Sequence, residues 1–300
     1  MEQKNNTVDP YHDPHGVFTR LDTTPYKNKY LDIPYDILSE DQKLDIYLPE
    51  NRKETELLPV VVYVHGGGFE MGDRKYGHIH KLIEALEKGY ACASISYRLS
   101  QESVFPAAVQ DVRNAIRFLR LHGEEYGIDE KRIGVFGESA GGNLVSLLAM
   151  DPQEPVFEEH IPQELAGVSA GVAACVDWFG VVDMSVMYSQ GESMPPWPLD
   201  RCPESRYLGV SLLEADPEWI AKTNPISYIS PRMCPMLMEH GTGDRNVPVK
   251  QSQMLYHAIV DQLGEERVEL LMLEGASHED PRFEREENMA LVWAFFDKNL

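Results

Sequence analysis

Three hundred residues, 43% hydrophobic and 25% charged, suffice for a sizeable buried core without disulfide or metal staples. A net charge of −22 sets the chain against phosphate backbones and anionic lipid, so nucleic acid and membranes are excluded as expected partners and neutral small molecules are the easier substrates. The four cysteines, Cys92, Cys175, Cys202 and Cys234, form no C-x-x-C pair and no metal-ligand spacing, so free thiols and no metal site are expected.

Residues 1–27 are polar and rich in Pro, His, Asp and Tyr. They read as an extended N-terminal arm, with His12 and His15 as solvent-exposed histidines rather than ligands. The opening residues hold no apolar segment, and no run approaches the ~20 apolar residues of a membrane span. No signal peptide is therefore expected, and the cytoplasm is the expected location.

From residue 28 the chain alternates between strand and helix patterns. Lys29–Tyr35 and Lys43–Leu48 read as two strands around a polar turn too tight for a crossover, hence antiparallel. Leu58–Val64 is a continuous β-branched run, the mark of a strand buried on both faces. His78–Lys88 has helical spacing and stops at Gly89. Tyr90–Tyr97 is the next strand. Pro106–Leu121 is an amphipathic helix with proline in its first turn. Arg132–Phe136 reads as a strand, Ala140–Met150 as an apolar helix, and Gly171–Trp178 as another buried strand. Residues 184–233, with Pro195-Pro196-Trp197-Pro198, interrupt the rhythm and read as a partly helical, cap-like insertion over the site. Cys234–Met238 and Val268–Leu273 are strands flanking a helix over Val249–Leu263, and Glu287–Leu300 closes the chain as a helix. Residues 28–300 thus form one α/β domain with a mostly parallel sheet, helices on both faces, and a site at the carboxyl ends of the strands.

Gly137-Glu138-Ser139-Ala140-Gly141 matches G-x-S-x-G between a predicted strand and a predicted helix, the context in which a serine becomes a nucleophile. His65-Gly66-Gly67-Gly68-Phe69 follows another strand, and its glycines leave backbone N–H groups open to an oxyanion. The N–H groups of Gly67, Gly68 and Ala140 are the expected oxyanion hole. A serine needs a base, and the base an orienting acid, after later strands. His278 and Asp244 stand where these are required. Asp183 is a weaker rival acid, His240 reads as a packed strand-end residue, His257 as a surface histidine, and Asp73 as a cap for the helix that follows. Glu279 and Asp280 flank His278, where they could tune it or face solvent. Phe69, Trp178 and Trp197 are the substrate-binding candidates.

His65-Gly66-Gly67-Gly68-Phe69, Ser96-Tyr97-Arg98-Leu99, Phe105-Pro106-Ala107, Gly137-Glu138-Ser139-Ala140-Gly141-Gly142-Asn143, Asp177-Trp178-Phe179-Gly180 and His240-Gly241…Asp244…Val247-Pro248 occur in order. Together they resemble the hormone-sensitive-lipase-like branch of α/β-hydrolase esterases, and within it the bacterial bifunctional carbohydrate deacetylase/feruloyl esterases, over roughly residues 28–300. The resemblance implies an α/β-hydrolase fold with an eight-stranded sheet, no cofactor, and cleavage of acetyl or hydroxycinnamoyl esters from plant polysaccharide fragments. Phe179-Gly180-Val181-Val182-Asp183 stands where that group would carry Tyr-Gly-Pro-Thr-Asp, and residues 184–233 have a sequence of their own. Amide cleavage, as in arylformamidases and prolyl-oligopeptidase-type peptidases, is the alternative activity, but no propeller or large accessory segment is there to gate peptides.

Overall fold

The structure, a computed structural model, describes residues 20–191 and 198–300. His12, His15 and Trp197 lie outside them. In chain order the elements are β1 (Lys29–Pro34), β2 (Lys43–Tyr47), β3 (Leu58–Val64), α1 (Ile79–Leu82), β4 (Ala91–Ile95), α2 (Ala107–His122), β5 (Ile128–Glu138), α3 (Ala140–Met150), β6 (Ala174–Trp178), α4 (Met184–Gln190), α5 (Pro203–Leu208), α6 (Pro217–Ala221), β7 (Met236–Gly241), α7 (Lys250–Leu263), β8 (Val268–Leu273) and α8 (Glu286–Asn299). The eight strands form one sheet in the order β1-β2-β4-β3-β5-β6-β7-β8. Pairings β1–β2 and β2–β4 are antiparallel, and the remaining five are parallel. This is the α/β-hydrolase architecture.

Strand alternation divides the core into two layers. Val60, Val62 and Val64 face one cluster, with Val109 and Val112 of α2, Leu144 of α3 and Leu255 of α7. Val61 and Tyr63 face the other, with Met289, Val292 and Phe296 of α8. A strand sandwiched in this way has no polar side, which is why β3 reads as an unbroken apolar run.

Three expectations are corrected. The predicted helix His78–Lys88 is one α-helical turn, α1, continued as a 3₁₀ helix over Ile83–Lys88 that stops at left-handed Gly89. Strand β5 starts at Ile128, not Arg132. Ile128 pairs with Leu58 across a register shift, so the polar residues 129–132 belong to the strand. Strand β7 runs on through Glu239, His240 and Gly241, all buried. In the 184–233 stretch the described residues hold the short helices α4, α5 and α6. Among the described residues no helix is long and apolar enough to cross a membrane.

Candidate active site

Strand β5 ends at Glu138 and α3 starts at Ala140, which leaves Ser139 alone at the turn with φ 53° and ψ −117°. Few non-glycine residues accept a positive φ, and such strain persists only where the surroundings enforce it. Here they do. A Cβ on Gly141 would strike the carbonyl oxygens of Val64 and His65, and one on Gly137 would sit 2.5 Å from the Gly141 carbonyl oxygen. The backbone is pinned as well: Ser139 N–H donates to the Trp178 carbonyl at 2.9 Å, and the Ser139 carbonyl accepts from Asn143 at 3.1 Å. The hydroxyl thus stands at the N-terminus of α3, whose dipole favours negative charge.

His278, in the loop after β8, brings Nε2 to 3.0 Å from Ser139 Oγ and Nδ1 to 2.6 Å from Asp244 Oδ2. Asp244, in the loop after β7, is held by its other oxygen, which accepts from the N–H groups of Asn246 at 2.8 Å and Val247 at 2.9 Å. A carboxylate accepting from Nδ1–H leaves the lone pair of Nε2 facing the serine hydroxyl. Burial alone would raise the Asp244 carboxyl, but the neighbouring His278 and His240 outweigh it and hold it well below the usual carboxylate range. Burial opposes charge on His278, yet Asp244 more than compensates and raises the imidazole above its ordinary value. The fully buried Phe179, itself at φ 42°, packs its ring 4.6 Å from the His278 ring.

The glycine loop is fastened from two sides. Gly66 O accepts from His65 Nδ1 at 2.9 Å and the Tyr97 hydroxyl at 3.3 Å. The C=O and N–H of a trans peptide point in opposite directions, so the Gly67 N–H is aimed away from that pair. Likewise Gly67 O accepts from Glu70 at 3.0 Å and Met71 at 3.1 Å, which turns the Gly68 N–H the other way. The N–H groups of Gly67, Gly68 and Ala140 donate to no acceptor among the described residues. Burial pushes the His65 imidazole down to about 4, so it is the neutral ring that donates through Nδ1.

Helix α5 lies against this loop. A Cβ on Gly68 would come within 3.2 Å of Pro203 Cβ, Tyr207 stacks on Phe69 with ring centroids 3.8 Å apart, and Arg206 pairs with Glu70.

The substrate-binding candidates fare differently from the catalytic ones. Trp178 is fully buried in the layer facing α8, against Phe136 and Phe283. Strand alternation sends Asp177 to the opposite layer, where it accepts from Ser146 of α3 at 2.9 Å. Trp178 is therefore a core residue. Phe69 is also buried, covered by Tyr207.

Asp183 caps α4 by accepting from Ser185 N–H. Asp73 makes a local turn with Lys75 N–H, while His78 occupies the N-cap of α1, so the expected cap is absent. His257 is exposed. Asp280 is tied up by Arg282 rather than turned to solvent, whereas Glu279 adds negative charge near His278.

Two features escaped sequence reasoning. His240 is packed at the end of β7 as expected, but its contact with the acid was not read: Nδ1 lies 2.7 Å from Ser252 Oγ, and Nε2 lies 2.9 Å from Val247 O and 3.4 Å from Asp244 Oδ2, so it braces the acid. Its signal was the spacing His240-Gly241-Thr242-Gly243-Asp244, a glycine turn that folds the histidine back on the carboxylate. The other is Glu138, whose side chain is buried behind Ser139.

The family described as BD-FAE matches residues 44–259. The probable carboxylic ester hydrolase LipM of Mycobacterium tuberculosis is 30% identical over 233 residues, covering 77% of this chain and 51% of that protein. The chain thus spans about half the length of the curated relatives it matches. Among solved structures, a truncated carbohydrate esterase from gut microbiota superposes with a TM-score of 0.79 at 26% identity, over 94% of this chain and 99% of that one. A bifunctional GH43-CE protein of Bacteroides eggerthii gives 0.79 at 29% identity, over 91% of this chain and 35% of that one.

Proposed function

The chain belongs to the BD-FAE family, and on that premise we propose that it is a serine carboxylesterase acting by two-step acyl transfer. The observation that carries the reading is the hydrogen-bonded line Ser139–His278–Asp244, at 3.0 Å and 2.6 Å. Ser139 Oγ attacks the ester carbonyl carbon while His278 Nε2 takes its proton. Asp244 holds the imidazole in the productive tautomer and stabilises the imidazolium. The carbonyl oxygen becomes the oxyanion, received by the N–H groups of Gly67, Gly68 and Ala140. His278 then gives its proton to the leaving alcohol oxygen, and water repeats the sequence on the acyl-enzyme to release the acid.

The substrate reading is a short acyl ester, above all the acetyl esters of plant-derived oligosaccharides, with feruloyl esters as a second acyl group. A solved neighbour described as a carbohydrate esterase and another described as a bifunctional GH43-CE protein support it. So does the net charge of −22, which favours neutral sugars over anionic polymers. Residues 184–233 act as the cap that shapes the acyl and leaving-group pockets, and the enzyme works in the cytoplasm on imported fragments.

The test is a panel of acetylated oligosaccharides, feruloylated sugars and p-nitrophenyl esters of increasing chain length, run beside Ser139→Ala. Acetyl esters should turn over fastest, and the variant should lose several orders of magnitude in rate. Turnover retained by Ser139→Ala would overturn the mechanism, and a preference for long acyl chains would overturn the substrate.

A further inference from the structure

We propose that Glu138 is a positioning residue of the esterase reaction: its Oε1 ties the oxyanion loop to the nucleophile elbow by accepting from Gly66 N–H and the Tyr63 hydroxyl. This rests on the reading of Ser139 as nucleophile and Gly67 as an oxyanion donor.

The two bonds are short, 2.9 Å from Gly66 N and 2.6 Å from Tyr63 Oη, and the side chain is buried. Both donors belong to β3 and the loop that leaves it, whereas Glu138 is the last residue of β5 and the neighbour of Ser139. A single oxygen therefore connects the two chain segments that must be held in register for the attack: the one carrying the nucleophile and the one carrying the oxyanion donors. Gly66 itself is clamped at both polar ends. Its N–H goes to Glu138, and its carbonyl goes to His65 and Tyr97, which aims the next N–H, that of Gly67. Releasing the Glu138 end frees the Gly66 peptide to rotate. Hydrogen bonds in a dry interior are worth most when their donors are fixed in advance, and a 1 Å misplacement of such a group costs roughly 10²-fold in rate.

The hold requires an acceptor, not a charge. Burial pushes the Glu138 carboxyl up to about 7, and a neutral acid with its proton on Oε2 accepts both bonds on Oε1 as the anion does. Oε2 has no partner among the described residues. Glutamine can present the same oxygen in the same place. Aspartate keeps the carboxyl but withdraws it by about 1.5 Å, the length of one carbon–carbon bond.

The experiment compares Glu138→Gln and Glu138→Asp with wild type on p-nitrophenyl acetate. It records kcat, KM and inhibition by phenylboronic acid, whose tetrahedral serine adduct carries an oxyanion-like oxygen. Glu138→Asp should lose about 10- to 100-fold in kcat with KM within about threefold, and boronate affinity should fall in parallel. Glu138→Gln should stay within about threefold of wild type in both. The proposal is overturned if Glu138→Asp keeps its kcat, if Glu138→Gln loses as much as Glu138→Asp, or if the loss is carried mainly by KM. A failure of the esterase reading itself would show in the wild type, as turnover that survives Ser139→Ala, and not in the ratios between Glu138 variants.

Discussion

Replacing Asp244 by asparagine removes one charge and leaves the loop's own hydrogen bonds in place. Oδ1 accepts from Asn246 and Val247 N–H, so the amide oxygen of an asparagine is drawn to that side and its NH₂ is turned toward His278. Facing a donor, His278 Nδ1 must become an acceptor, and the ring proton moves to Nε2, where it points at Ser139. The imidazole can then no longer take the serine proton. The charge lost is also the one that stabilises the imidazolium. At the 2.6 Å separation of Nδ1 and Oδ2 and an effective dielectric near 20, the Coulomb attraction is about 6 kcal/mol, a ceiling of roughly 10⁴-fold in rate. The expected outcome for Asp244→Asn is a kcat for p-nitrophenyl acetate lower by about 10³- to 10⁴-fold at pH 7, with a melting temperature close to wild type. A kcat within tenfold of wild type would refute the reasoning. Asp183→Asn serves as the control, because that side chain only caps α4.

The other predictions concern pH, packing and the elbow. The base must be neutral to act, and Asp244 raises the His278 imidazole, so kcat/KM should fall as pH drops through a value above the ordinary ~6.5 of histidine. A pH–rate profile whose acid limb lies below 6 would contradict this. Trp178→Ala removes a fully buried side chain and should cost about 3–5 kcal/mol in denaturant unfolding without altering the acyl preference. Wild-type stability with a changed preference would return Trp178 to the pocket. Gly141→Ala drives a methyl group into the carbonyl oxygens of Val64 and His65. It should lose about 1–3 kcal/mol of stability and most of the activity, and unchanged thermal unfolding would speak against the close approach.

The parts of the molecule that could be read in advance share a cause. Strands β3 and β8 and helix α3 have their predicted bounds because an apolar run between turn residues signals its own ends. The spacing of Ser139, Asp244 and His278 follows from strand ends, so it too is written along the chain. What escaped reading depends on which side of the sheet a residue faces. Trp178 sits in a strand buried on both faces, so no pattern distinguishes the layer under α8 from the pocket. Polar residues inside strands were equally opaque: 129–131 lie before the expected start of β5, in the irregular stretch between the Ile128 and Ile133 pairings, and Glu239 lies past the expected end of β7, where its partner Leu271 comes from a distant segment. Glu138 was hidden for the same reason, since Tyr63 and Gly66 lie more than seventy residues away in sequence.

On the proposed roles of the glycine loop as oxyanion hole and of residues 184–233 as cap, the contact between α5 and that loop would tie selectivity to turnover over evolutionary time. Pro203 abuts Gly68 and Tyr207 covers Phe69, so a lineage drifting toward new esters could not remodel these two positions without also disturbing the proposed oxyanion donors. Drift in substrate range should therefore concentrate elsewhere in residues 184–233, with Pro203 and Tyr207 changing only alongside the loop beneath them.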